Sequence, residues 1–101
     1  VSSVVAPLLD FFARANRDIF GFRGAPIHDA LAVAAVSNPG IITTRHLHVA
    51  IETEGTLTRG QTVADVYGVT GKEPNVDVAL ELDHPVFLET FFNAMKVLDG
   101  R

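Results

Sequence analysis

The sequence predicts a mixed helix-and-sheet chain, with three helices and three strands in the order ααβββα. Three observations predict it. Between residues 4 and 36 apolar side chains recur at helical steps, with one break at Gly21 and Gly24. From Ile41 the repeat shortens to two, the period of a strand. After Asp83-His84-Pro85 it becomes helical again. Taken alone this order is an α+β arrangement, and one face of a larger α/β sheet without its other strands has the same pattern. No linker, repeat or low-complexity stretch divides residues 1–101, which read as one unit.

Each element has its own grounds. In the first helix, over residues 4–20, Val5, Leu8, Leu9, Phe12, Ala15 and Ile19 form a stripe. Pro7 lacks a donor and puts the helix start near itself. Asn16 lies beside the apolar stripe. The second helix starts near His28-Asp29 and runs to about Val36, where Ser37-Asn38-Pro39-Gly40 ends it. It is apolar all round, so burial on most sides is expected. His46 to Glu52 and Thr62 to Tyr67 alternate and predict an antiparallel hairpin. Val76 to Asp83 is the most regular alternation in the chain. The last helix has Asp83 or His84 as its cap and Pro85 in its first turn. Its predicted buried face is Phe87, Leu88, Phe91, Phe92, Met95 and Leu98.

Composition excludes several classes of function. Eight Lys and Arg stand against 12 Asp and Glu, a net charge of −4 without a basic block, so no nucleic-acid-binding face is expected. The absence of Cys removes disulfide frameworks, thiolate nucleophiles and thiolate metal sites, and fits a cytoplasmic location. The longest apolar run, Ala30 to Val36, is far short of the roughly 20 residues that span a bilayer, so no membrane partner is expected. The chain begins with Val and enters helical pattern at once, without signal-peptide features, which points to a segment or processed product.

Few side chains here can carry chemistry. His28 has an imidazole suited to proton donation, and Asp29 a carboxylate suited to a hard cation. On residue types alone the better reading of Asp29 is the N-cap of the second helix, with His28 a partly exposed loop residue. Asn16 is either a satisfied core amide or a group lining a polar pocket. His46 and His48 share a strand face and could hold zinc, but no third ligand sits at a suitable spacing. Glu52 and Glu54 read as solvated loop acids. Thr58 to Thr62 lacks the glycine spacing and lysine of a phosphate loop, and Ser2, Ser3 and Ser37 lie outside any nucleophile elbow.

Pro26-Ile27-His28-Asp29-Ala30-Leu31-Ala32-Val33-Ala34 resembles the C-terminal active-site motif of the inosine–uridine preferring nucleoside hydrolases. Leu47 to Asp65, with Thr58-Arg59-Gly60-Gln61-Thr62 inside it, is similar to that family's next conserved block, in the same order and at the same distance. The likeness covers essentially the whole chain, about the last third of such an enzyme. It implies an α/β parent fold, a Rossmann-like mixed sheet flanked by helices. It also implies hydrolysis of the N-glycosidic bond of ribonucleosides to ribose and free base, with calcium as cofactor, while the missing cover over sheet edges and apolar helix faces predicts self-association as a homo-oligomer. His28 then matches the histidine that protonates the departing base, and favours broad or pyrimidine preference. Asp29 matches a calcium-ligating carboxylate, and Asn16 falls loosely on a helix that flanks the base. The family's Asp-rich N-terminal motif is not in this sequence, so the isolated chain is expected neither to bind calcium tightly nor to turn over nucleosides. The alternative is a stand-alone α+β binding or oligomerisation module.

Overall fold

A computed structural model describes all of residues 1–101, which form two compact units. The first comprises Val1–Ile41 and Asp83–Arg101, the second Ile42–Leu82.

The first unit is helical. Helix α1 spans Ser2–Phe20 and starts earlier than Pro7 predicts. Pro7 therefore lies in the second turn, where its missing N–H leaves the Ser3 carbonyl without its helical donor. Gly21 closes the helix at φ +70°, a left-handed position that a Cβ would strain, and its N–H donates to the Arg17 carbonyl at 2.8 Å. The inward line of α1 runs through Val5, Leu9, Ala13 and Asn16. Leu8 and Ile19, assigned by periodicity to the buried stripe, face outward at 60% and 71% exposure. The helix carries two apolar lines, and the chain covers one of them.

Helix α2 spans His28–Ser37, with Ile27 at its cap position and no capping side chain. Asp29 is thus the second helical residue and not an N-cap, which corrects the capping expectation. The cap position needs non-helical backbone, and Ile27 supplies it. The expected burial on most sides also fails. Ala34 is buried, whereas Val33 and Val36 are 71% and 84% exposed. The reason is that α2 meets a short 3-10 turn, Pro39–Ile41, and the last helix, and no other element of this unit covers its far side. Ile41 is the most completely buried side chain, at 1% exposure, and its carbonyl accepts from the Asp83 N–H at 2.8 Å.

Helix α3 spans His84–Asp99. Of the two cap candidates, Asp83 is the one used, its carboxylate accepting from the Val86 N–H at 3.2 Å, with Pro85 in the first turn as predicted. Phe87 is buried and Leu88, Phe91 and Met95 half-buried, while Phe92 and Leu98 stand exposed.

The second unit is built of strands, four where the alternation predicts three. They are β1 (Ile42–Leu47), β2 (Val49–Ile51), β3 (Thr62–Ala64) and β4 (Val76–Leu82). The predicted hairpin is present as β2 antiparallel to β3, and β1 pairs antiparallel with β4. The expected strand over residues 46–52 is divided at His48 because the chain changes partner there. The Leu47 carbonyl accepts from Asn75 N–H, whereas the His48 carbonyl accepts from Asp65 N–H. The strand predicted to reach Tyr67 ends at Ala64, since the next residues turn. In β4 the register skips Leu80 between the pairs Thr43–Glu81 and Thr44–Ala79, a bulge of one residue. Within the chain no helix is long and apolar enough to cross a membrane.

Candidate functional site

His28 and Asp29 occupy the first turn of α2, directly after the loop that Gly21 opens and Pro26 stiffens. They border a cleft of about 280 Å³ in the helical unit, whose walls include Leu9 and Phe12 of α1, Ile27, and Phe91 of α3. Both side chains are exposed and neither joins an ion pair. The Asp29 carboxylate caps no backbone group, so its lone pairs are uncommitted. Its place at the positive end of the helix suits an anionic side chain. The arrangement puts a proton-transfer group and a free carboxylate side by side at the rim of an apolar depression. That depression has the chemistry to take a flat, weakly polar ring.

Asn16 is not part of this rim. It is 7% exposed, and its amide nitrogen donates to the Phe12 carbonyl at 2.9 Å, one turn back on α1. The ring of Phe12 lines the cleft while its carbonyl holds Asn16. The structure thus brings His28 and Asp29 together and leaves Asn16 on the inner line of α1. Sequence reasoning assigned Phe12 and Phe91 to buried faces. Apolar residues at helical spacing look alike whether they fill a core or wall a cleft.

A calcium ion takes six to eight oxygen ligands. No group of three His, Cys, Asp or Glu side chains converges in this chain, and Asp29 is the one carboxylate that lines the cleft. The chemistry of that donor fits a hard cation, and its number does not make a site. The same holds for zinc at His46 and His48, whose Nδ1 atoms meet separate partners, Asp77 Oδ1 at 2.8 Å and the Glu73 carbonyl at 2.9 Å.

Two acids in the strand unit have structural work that the sequence did not disclose. One Glu52 oxygen accepts from the N–H groups of Glu54 and Gly55 at 2.8 and 2.9 Å, and these bonds hold its carboxyl below the usual range. Asp65, assigned to a strand, closes the following loop. It accepts from the Thr70 hydroxyl at 2.6 Å and from the Thr70 and Val69 N–H groups, and its carboxyl is likewise lowered, first by the Thr70 hydroxyl.

The fold is that of an α/β nucleoside hydrolase-like segment. The structure matches that of a purine-preferring ribonucleoside hydrolase from Gardnerella vaginalis with a TM-score of 0.67 and 33% identity, over 85% of this chain and 27% of that one. The chain belongs to the inosine-uridine preferring nucleoside hydrolase family, whose model matches residues 1–89. It is 44% identical over 90 residues to the pyrimidine-specific ribonucleoside hydrolase RihA of Klebsiella pneumoniae, across 88% of this chain and 29% of that protein. It is 40% identical over 97 residues to RihA of an Escherichia coli strain, across 95% of this chain and 31% of the relative. The chain therefore spans under a third of the length of these curated relatives.

Proposed function

We propose that this chain is the C-terminal part of a ribonucleoside N-ribohydrolase that cleaves the N-glycosidic bond of nucleosides to ribose and free base. The observation that carries the proposal is the pair His28 and Asp29, exposed and unpaired at the rim of an apolar cleft. Cleavage of that bond leaves positive charge on the ribose and negative charge on the base. His28 acts as general acid, giving its proton to the departing base, while the cleft walls hold the ring. Asp29 contributes one carboxylate oxygen to a calcium site whose other ligands come from outside these residues. Bound there, calcium supplies a Lewis-acid centre for water and the ribose hydroxyls.

Asn16 lies off the cleft, and its part in substrate binding is to hold the backbone of Phe12, whose ring walls the cleft. Pyrimidine nucleosides are the favoured substrates, since the relatives at 40–44% identity are described as pyrimidine-specific. The isolated 101-residue chain neither binds calcium tightly nor hydrolyses nucleosides, and it self-associates through apolar surface.

A segment exchange tests this. Residues 1–89 replacing the matching part of the Klebsiella pneumoniae enzyme should leave a hydrolase active on uridine. His28→Ala in that chimera should lower kcat by roughly 10²–10⁴-fold. An active chimera indifferent to His28→Ala removes the proton-donor role. Clear turnover of uridine or inosine by the purified 101-residue chain would show that the catalytic apparatus lies within it.

A further inference from the structure

The strand unit holds a second cleft, of about 320 Å³, and its walls are basic although the chain carries a net charge of −4. Arg45, His46, His48 and Lys72 line it, two of the eight Lys and Arg and two of the four His in the sequence. Neither Arg45 nor Lys72 has a carboxylate partner, since the ion pairs of the chain are Val1–Asp99, Asp10–Arg14, Arg17–Asp18 and His46–Asp77. One Arg45 nitrogen donates to the Val66 carbonyl at 2.9 Å, which orients the guanidinium and leaves most of its five donors free.

The one carboxylate on the wall, Asp65, is turned into its own loop. Oδ1 accepts from Val69 N–H at 2.9 Å, and Oδ2 from the Thr70 N–H at 3.0 Å and hydroxyl at 2.6 Å. Asp77 answers His46 across the strand pair. Both imidazoles face acceptors through Nδ1, which therefore carries the hydrogen, and each keeps an Nε2 without a protein partner. The acids are thus engaged, while Arg45 and Lys72 have no carboxylate partner.

We infer that this cleft binds a phosphate-type oxyanion. Arg45 makes the forked contact and Lys72 supplies a point charge, the two modes in which these side chains hold phosphate oxygens. The volume also admits a phosphate monoester. The site owes nothing to the His28 chemistry and stands independently of it.

The test is a titration of the 101-residue chain, followed by amide and side-chain NMR shifts at constant ionic strength, with inorganic phosphate, sulfate and ribose 5-phosphate. Saturable shifts at Arg45, His48 and Lys72, with dissociation constants of about a millimolar, are expected. Lys72→Gln and Arg45→Gln should each weaken binding roughly five- to tenfold. Lys72 has no ion-pair partner, so its variant reports on the anion without disturbing the loop. Equal affinity for phosphate and sulfate identifies a free oxyanion as the ligand, and tighter binding of ribose 5-phosphate identifies a monoester. Shifts that sodium chloride reproduces at the same ionic strength, or that survive unchanged in both variants, overturn the proposal.

Discussion

Asn75 pairs its carboxamide with both main-chain groups of Val49: Oδ1 accepts from the Val49 N–H at 2.8 Å and Nδ2 donates to the Val49 carbonyl at 3.0 Å. A side chain here takes the place of a neighbouring strand. Immediately before β4, it holds the edge of β2 where the chain leaves β1. Asn75→Ala should therefore loosen the start of β2 by about 1 kcal/mol, the net value of such bonds where water can replace them. That corresponds to roughly fivefold faster hydrogen exchange at the Val49 amide. Asn75→Asp should fail to restore protection, because it sets a carboxylate against the Val49 carbonyl. Unchanged exchange in the alanine variant would mean the pairing carries no stability.

Asp83 and Asp29 separate two uses of one residue type at helix starts. Asp83 accepts from the Val86 N–H, whereas Asp29 sits inside the first turn and caps nothing. Asp83→Ala should cost about 1 kcal/mol in thermal or urea unfolding. Asp29→Ala should cost about 0.5 kcal/mol or less, the scale of an exposed charge near a helix dipole. Equal losses would return Asp29 to a structural role and weaken its place as a free ligand.

The same pair shows what the sequence could and could not convey. His28-Asp29 stood out as a candidate because its residue types, and its spacing from the Thr58–Thr62 block, resemble a family pattern. The helical position of Asp29 was not, since Asp is favoured both at the cap and within the first turn. Alternation from His46 to Glu52 fixed which residues oppose one another, but it carries no record of pairing partner, and the partner changes at His48. Periodicity marked Val33 and Val36 as apolar correctly. What covers an apolar residue depends on other elements, and this chain leaves both open. Asn16 could be buried because its amide is satisfied four residues back on its own helix, a bond no side-chain pattern displays.

Asp65 predicts an acid-sensitive loop. The Thr70 hydroxyl, then the Thr70 and Val69 N–H groups, favour its charged form and hold its carboxyl below the ordinary 3.8. A lowered value in the folded chain means the stabilisation is complete above 3.8 and is lost as pH falls through the folded value. The Val69 and Thr70 amides should stay protected at neutral pH and open in strong acid. Thr70→Val removes the leading donor, so the Asp65 carboxyl should titrate closer to 3.8 by NMR. A titration curve identical to the parent's would show that the hydroxyl does not set it.

Self-association has two candidate surfaces, and substitution separates them. On α1, Val4, Leu8, Phe11 and Ile19 form an outward apolar line, and on α2 Val33 and Val36 stand open. Exposed apolar area of this kind favours burial at about 25 cal/mol per Å², so light scattering should find the chain larger than its 10.9 kDa monomer at high concentration. The double variant Val33→Lys, Val36→Lys should lower association if α2 forms the contact, and Leu8→Glu, Ile19→Glu should do so if α1 does. These positions are already exposed, so neither pair removes a core contact, and a fall in association with unchanged unfolding temperature identifies the interface. A monomeric mass for the parent chain across the concentration range excludes self-association through either surface.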